Sequence, residues 1–246
     1  MRKAIIIFII LFLPFSALAH GLEPELSVDA GVLPGSPKYI FETISEWVSV
    51  NLLTLSTKKK AAKKLAMSSE RVAEIGLLAN LKETEEKDLR YAMSRYKAQL
   101  ASAEDMVEKV IFLDGKEISA ADKLEEETRL QEKFLRELKE QLGSVEALNA
   151  ETMTVIDQSL NIARSQNKKI FTFMVEKYQA TDADIGKHRL ILSKHVSLAR
   201  EALLNADSEA EFKEASAILD EAEKFRKAGL NLEAYDLIEK AKNLVY

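Results

Sequence analysis

Apolar residues recur at alternating spacings of three and four along most of this chain, the period that lines one face of an α-helix. The most regular run is Met153, Ile156, Leu160, Ala163, Asn167, Ile170 and Met174, which reads as the seam of a coiled-coil-like helix open to a second copy. Leu89, Ala92, Tyr96, Leu100, Ala103, Val107 and Val110 predict another helix, from about Glu83 to Leu113, closed by Asp114-Gly115. Ala61, Leu65, Val72, Ile75 and Ala79 predict one from Ser56 or Thr57 to Asn80. Leu135, Leu138 and Leu142 mark the buried side of one from about Ser119 to Leu142, where Gly143 breaks or kinks the chain.

Near the N-terminal side, Ile40, Phe41, Ile44, Trp47, Val48 and Leu52 give a short helix one strongly apolar face, so it is expected to pack inward. Its predicted start is Ser36-Pro37, with the Ser hydroxyl as cap and Pro at the first helical position. Thr181-Asp182-Ala183-Asp184 resembles a capping box and opens a sixth helix to about Asn205. Ser208 is the expected cap of a seventh that ends near Gly229, and Glu233 to Tyr246 forms the last. Ala222, Phe225, Gly229, Glu233-Ala234, Tyr235 and Ala241 have the spacing of one tetratricopeptide-like hairpin.

The expected fold is all-α: an elongated multi-helix bundle of antiparallel hairpins, about seven or eight helices, with that hairpin at its C-terminal end. Composition agrees, because only 8 Gly and 4 Pro interrupt the chain and Pro24, Pro34 and Pro37 fall close together. The expected organisation is 36–113, an N-terminal helical domain; 114–180, a central long-helix hairpin; and 181–246, C-terminal helical hairpins.

Ahead of these lies a different pattern. Met1-Arg2-Lys3, an apolar run from Ala4 to Phe15 and then Ser16-Ala17-Leu18-Ala19 have the three parts of a secretory signal peptide, 1–19, with cleavage expected between Ala19 and His20. The alternative is a retained anchor, against which stand Pro14 and a run shorter than the ~20 apolar residues of a spanning helix. Residues 20–35 read as an extended leader. The reading is of an exported protein, periplasmic, cell-envelope associated or secreted.

The chain has no cysteine, so disulfides, thiolate metal sites and a cysteine nucleophile are excluded and stability falls to helix packing. Its formal charge of −5 becomes −7 once Arg2 and Lys3 leave with the signal segment, the wrong sign for general nucleic-acid binding.

Val32-Leu33-Pro34-Gly35-Ser36-Pro37-Lys38-Tyr39, with Phe41 and Glu46-Trp47 behind it, resembles the opening of a family of exported bacterial proteins classed as a domain of unknown function. The long helix that follows in that family begins with lysines and continues Ala-x-Glu-Arg-x-Ala-Glu. Lys58-Lys59-Lys60-Ala61 and Ser69-Glu70-Arg71-Val72-Ala73-Glu74 match that part, while Ser56-Thr57 stands where Asp-Pro is common. The resemblance spans about Gly31 to Val110 and implies an exported helical domain without assigned chemistry. Read physically, Gly35 permits a tight turn between Pro34 and Pro37, and Tyr39, Phe41 and Trp47 are expected to wedge into the core. A docking motif for an envelope partner is the alternative.

Parts for catalysis are scarce. There are three histidines, no Glu-x-x-His, no His-Glu-x-x-His, no phosphate-cradling glycine loop and no Gly-x-Ser-x-Gly, so no enzyme and no cofactor are expected. His188 and His195 share one helical stripe, but seven residues separate them by roughly 10 Å along the axis, too far for one metal ion. They are expected to pack at the margin of a helix interface. His20, as a mature N-terminal residue, would offer an amine and an imidazole to a metal such as Cu(II). Glu125-Glu126-Glu127 reads as the polar face of a helix.

Lys58, Lys59, Lys60, Lys63 and Lys64 open a helix, where positive charge opposes the dipole. They are a candidate contact with an anionic envelope surface, against the plainer reading of a solvated face. Together these features point to an exported, non-catalytic helical binding or scaffolding protein. Its rivals are an extracytoplasmic chaperone or stress sensor, and a metal-binding protein using His20. A homodimer through Met153, Ile156, Leu160, Ile170 and Met174 is the expected self-association.

Overall fold

The chain's breakers and caps divide it much as the pattern predicts. The structure is a computed structural model that describes residues 28–81, 84–114, 118–143, 150–177, 182–204 and 208–245. Among them are eight α-helices and no strand: α1 (Tyr39–Asn51), α2 (Thr57–Asn80), α3 (Glu86–Asp114), α4 (Ile118–Gly143), α5 (Ala150–Lys177), α6 (Asp182–Leu203), α7 (Glu209–Ala228) and α8 (Asn231–Val245). The predicted signal segment 1–19, His20 and the leader as far as residue 27 lie outside the described residues, as do Thr181 and Asn205.

Local chemistry explains the boundaries. Ser208 caps α7, its hydroxyl accepting the Glu211 N–H at 3.5 Å, and Glu209 and Glu211 complement the positive end of the helix dipole. At the other end Gly229 takes the left-handed conformation, φ +83°. The Leu230 N–H then donates to the Phe225 carbonyl and the Gly229 N–H to that of Arg226, a Schellman closure that turns the chain straight into α8.

The start of α1 departs from expectation. Leu33-Pro34-Gly35-Ser36 forms a turn closed by the Ser36 N–H on the Leu33 carbonyl at 3.2 Å, with Gly35 at φ +88°. Pro second and a positive-φ Gly third is the type II signature. A Cβ on Gly35 would stand 2.7 Å from an Asp88 carboxylate oxygen, a second reason for glycine there. Ser36 then accepts the Lys38 N–H on its hydroxyl and the Tyr39 N–H on its carbonyl, so it serves a second turn and the helix begins only at Tyr39.

Helices α2 and α3 pack along each other, as do α4 and α5, and the two pairs pack together into a four-helix arrangement. Helices α6, α7 and α8 pack mutually, and α8 and α6 join them to α5. One continuous apolar cluster runs from Ala61 in α2 to Ala241 in α8. The α5 stripe lies inside it: Ile156, Leu160, Ala163, Asn167, Ile170 and Met174 are buried and Met153 is partly so. The chain's own helices thus fill the stripe read from sequence as a dimer seam. Helix α1 stands apart from the cluster and packs chiefly on α2.

Candidate functional site

Helix α1 has two faces, and the polar one is turned toward the bundle. Tyr39, Glu42, Glu46 and Val50 recur at helical spacing on its inner side, Tyr39 and Val50 being buried. Beneath them lies Arg71 of α2, fully buried. Its guanidinium donates to the Tyr39 hydroxyl at 2.6 Å, pairs with Glu74 at 2.5 Å, and pairs with Glu46. Arg95 of α3 reaches the other Glu46 oxygen at 2.8 Å. The Tyr39 hydroxyl donates to Glu74 at 3.4 Å, and its ring meets Tyr91 edge-on at 5.8 Å between centroids. A Glu42 carboxylate oxygen accepts the Val32 N–H at 3.2 Å.

Burial and neighbouring charge perturb this cluster. The Glu74 carboxyl is pushed up to about 8 by burial, reinforced by the negative charges of Glu42 and Glu46 and opposed by Arg71. Burial, then Glu74, raises the Tyr39 hydroxyl to about 12. For Arg71, burial works against the charge but Glu74 and Glu46 outweigh it, and its pKa is raised.

The outer side of α1 is apolar and bare. Ile40 is 65% exposed, Phe41 74%, Ile44 55% and Trp47 58%, and Leu52, Leu53 and Leu55 continue the exposure past the helix end. The expected aromatic wedge is therefore only Tyr39. Phe41 and Trp47 point to solvent because turning them inward would set the helix's carboxylates outward and strand Arg71 in a dry site. In the same motif Pro34 is buried and Leu33 leans on the core, while Gly35 and Pro37 are exposed and Ser36 is half-buried.

The five lysines divide. Lys63 turns inward, donating from Nζ to the Ser49 hydroxyl at 2.6 Å and the Ser49 carbonyl at 3.2 Å, which ties the end of α1 to α2. Lys64 donates to Gln99 of α3 at 2.9 Å, and burial lowers its pKa. Lys58 and Lys59 are exposed and Lys60 is half-buried, one turn away from the α1 contact.

A second buried polar cluster links α4, α5, α6 and α8. Lys242, wholly buried, donates to Glu132 at 2.7 Å, pairs with Glu239 at 2.9 Å, and lies 3.4 Å from Nδ1 of His195. Nε2 of His195 meets Glu125 at 2.9 Å. Asn167 donates to the second Glu132 oxygen at 3.0 Å and accepts from the Thr128 hydroxyl, while Arg164 pairs with Glu239 at 3.0 Å. His188 is also fully buried, edge-on to Phe171, which stacks on Tyr235. The two histidines thus sit in the centre of the packing, not at its margin. Of the glutamate run only Glu125 is wholly enclosed, Glu126 remaining largely exposed. No group of three or more potential ligands is arranged to hold a metal ion among the described residues. What this cluster provides is a set of mutually satisfied charges with specific partners, which fixes helix register.

Glu46, Arg71 and Glu74 stand in the motif that carries the resemblance but were given no pairing there, and Arg95, Glu132 and Lys242 were not singled out at all, yet two signals were present. Tyr39, Glu42 and Glu46 repeat at three and four opposite the apolar stripe of α1. Extending the α4 stripe backward from Leu135 lands on Gln131, Thr128, Leu124 and Ala121, all buried. Among the described residues no helix is long and apolar enough to cross a membrane. No family model matches the chain, and no curated protein or solved structure matches it.

Proposed function

We propose that this is an exported, non-catalytic binding or scaffolding protein of the cell envelope, in which the bundle is a rigid mount and α1 is the face presented to a partner. The observation that carries the reading is the orientation of α1: its acidic side is satisfied inside by Arg71 and Arg95, and its apolar side faces out. Exposed apolar side chains clustered on one side of a molecule mark an interaction surface. Export rests on the pattern of Met1 to Ala19, and kinship with exported proteins of unknown function on the Leu33–Tyr39 motif. The α7–α8 hairpin is read as a tetratricopeptide-like unit, supported by the buried Ala222, Ala234, Tyr235 and Ala241.

The test is site-specific photocrosslinking in intact cells, with the crosslinking residue at Phe41 on α1 or at the exposed Lys224 on α7. Discrete adducts from Phe41 alone, on protein that starts at His20, are the expected result. Equal patterns from both positions, or a protein retained in the cytoplasm, would refute the reading. An extracytoplasmic chaperone would use the same bare stripe, and is recognised by suppression of client aggregation that Ile44→Ser abolishes.

A further inference from the structure

We propose that the partner of α1 is the surface of an anionic lipid bilayer, on which the helix lies in the headgroup plane. The proposal deepens the docking reading above and rests on it. Its first support is how charge is sorted around the helix. Both acids of α1 are used inside, Glu42 on the Val32 N–H and Glu46 on Arg71 and Arg95. What remains outside is Ile40, Phe41, Ile44 and Trp47, flanked by exposed Lys38 before the helix and by exposed Lys58 and Lys59 with half-buried Lys60 after it. An apolar face with an aromatic residue, edged by lysines and cleared of acids, is the composition of an interfacial helix. Tryptophan in particular favours the headgroup boundary, where its ring is half in hydrocarbon.

The second support is shape. Helix α1 lies on the outside of the bundle, touching chiefly α2, so its stripe is a ridge. A partner protein binding an apolar ridge needs a matching groove, whereas lipid deforms around it. A second copy would bring two lysine clusters together, which opposes pairing at low salt.

The third support is that the exposure is built in. Rolling α1 to hide Trp47 would break the Glu46 pairs and leave the buried Arg71 with one fewer carboxylate. Lys63 on Ser49 pins the helix end and keeps Leu52 and Leu53 on the outer side. Among the described residues no helix is long and apolar enough to span a bilayer, and the contact proposed for α1 is of the peripheral kind.

Trp47 is the only tryptophan of the chain and reports directly on its own burial. The experiment uses the chain from His20, which removes the apolar run Ala4 to Phe15 as a competing anchor. Vesicles of equimolar phosphatidylglycerol and phosphatidylcholine are titrated at low salt, with vesicles of phosphatidylcholine alone alongside. The expected result is a blue shift of Trp47 emission, with quenching by brominated acyl chains, on the anionic vesicles and at least tenfold weaker partition onto the neutral ones. Binding should weaken as ionic strength rises.

Replacing Lys58, Lys59 and Lys60 together by Gln should lower the partition coefficient about 100-fold, at ~5-fold per lysine near a charged surface. Ile44→Ser, with Ile40→Ser as a second variant, should abolish the shift while circular dichroism and thermal unfolding stay unchanged. Equal binding to both vesicle types, or retention on purified wall polymer without a change in Trp47 emission, would overturn the proposal. So would sedimentation as a dimer that Ile44→Ser dissolves. Absence of lipid binding with discrete protein adducts at Phe41 would sink the lipid partner and leave the docking reading standing; absence of both would sink both.

Discussion

Helices α1 and α5 carry the same signature in sequence and use it in opposite directions. Each has an apolar stripe at spacings of three and four, Ile40-Ile44-Trp47 in one and Ile156-Leu160-Ala163 in the other. The stripe of α5 is buried in the shared core; that of α1 faces water. The difference lies in the remaining face. Behind the α1 stripe stand Tyr39, Glu42 and Glu46, and the bundle holds Arg71 and Arg95 where two of them land. The α5 stripe meets apolar neighbours and admits one polar residue, Asn167, which Thr128 and Glu132 satisfy. Amphipathic period announces two faces; complementary groups on the neighbouring helices decide which one turns inward.

Removing the charge that holds α1 should have the largest effect. Arg71→Met leaves Glu46 and Glu74 in a site built for a cation and should cost ~3–5 kcal/mol in chemical denaturation, the range for breaking a buried pair. A loss under about 1 kcal/mol would mean that the cluster is not what orients the helix. Next comes the direct contrast. Ile156→Ala should destabilise by ~2–5 kcal/mol, as truncation in a packed core does. Trp47→Ala, a larger truncation, should cost less than about 1 kcal/mol because the ring is mostly in solvent. Equal losses would place both stripes in the core.

The pH profile sharpens the same point. Glu74 has a folded-state value near 8 against an ordinary 4.5, so the folded state holds its proton more tightly. The stabilisation is complete below about 4.5 and is lost as pH rises through about 8. Thermal unfolding from pH 5 to 9 should show falling stability, and Glu74→Gln should flatten that slope. Burial shifts Glu70, Glu104 and Glu137 in the same direction, so the difference between Glu74→Gln and the unaltered protein isolates the contribution under α1. The smallest effect separates the lysines. Lys63→Gln should lose roughly 1 kcal/mol with its bond to Ser49, whereas Lys59→Gln should stay within about 0.5 kcal/mol.

Much of the fold was legible in advance because helix punctuation is local. Gly229, Ser208 and the Thr57 to Asn80 span fell where neighbouring residues placed them. Ser36 did not, since a type II turn one residue earlier took the chain through a second turn before the helix could start. The facing of α1 was not legible for a different reason. Glu46 is satisfied by partners 25 and 49 residues away, and nothing in a stripe of apolar residues reveals where a distant arginine will arrive. The buried charges of α4 were hidden likewise, because Glu125 and Glu132 flank the stripe at positions that solvated glutamates occupy in most helices.

The pairing of Lys242 with Glu132 also ties the far end of the chain to the four-helix part. The two residues are 110 positions apart, and the carboxylate belongs to the four-helix part while the ammonium arrives on α8. A chain emerging from its N-terminal side presents α2 to α5 long before α8. Without α8 the buried Glu132 would keep the Asn167 amide at 3.0 Å and Arg164 at 3.9 Å, both on α5, and would lack its nearest cation, Lys242 at 2.7 Å. Settled packing of the early helices therefore depends on a late one, so a truncation that removes α8 is felt in the four-helix part as well as among its own neighbours.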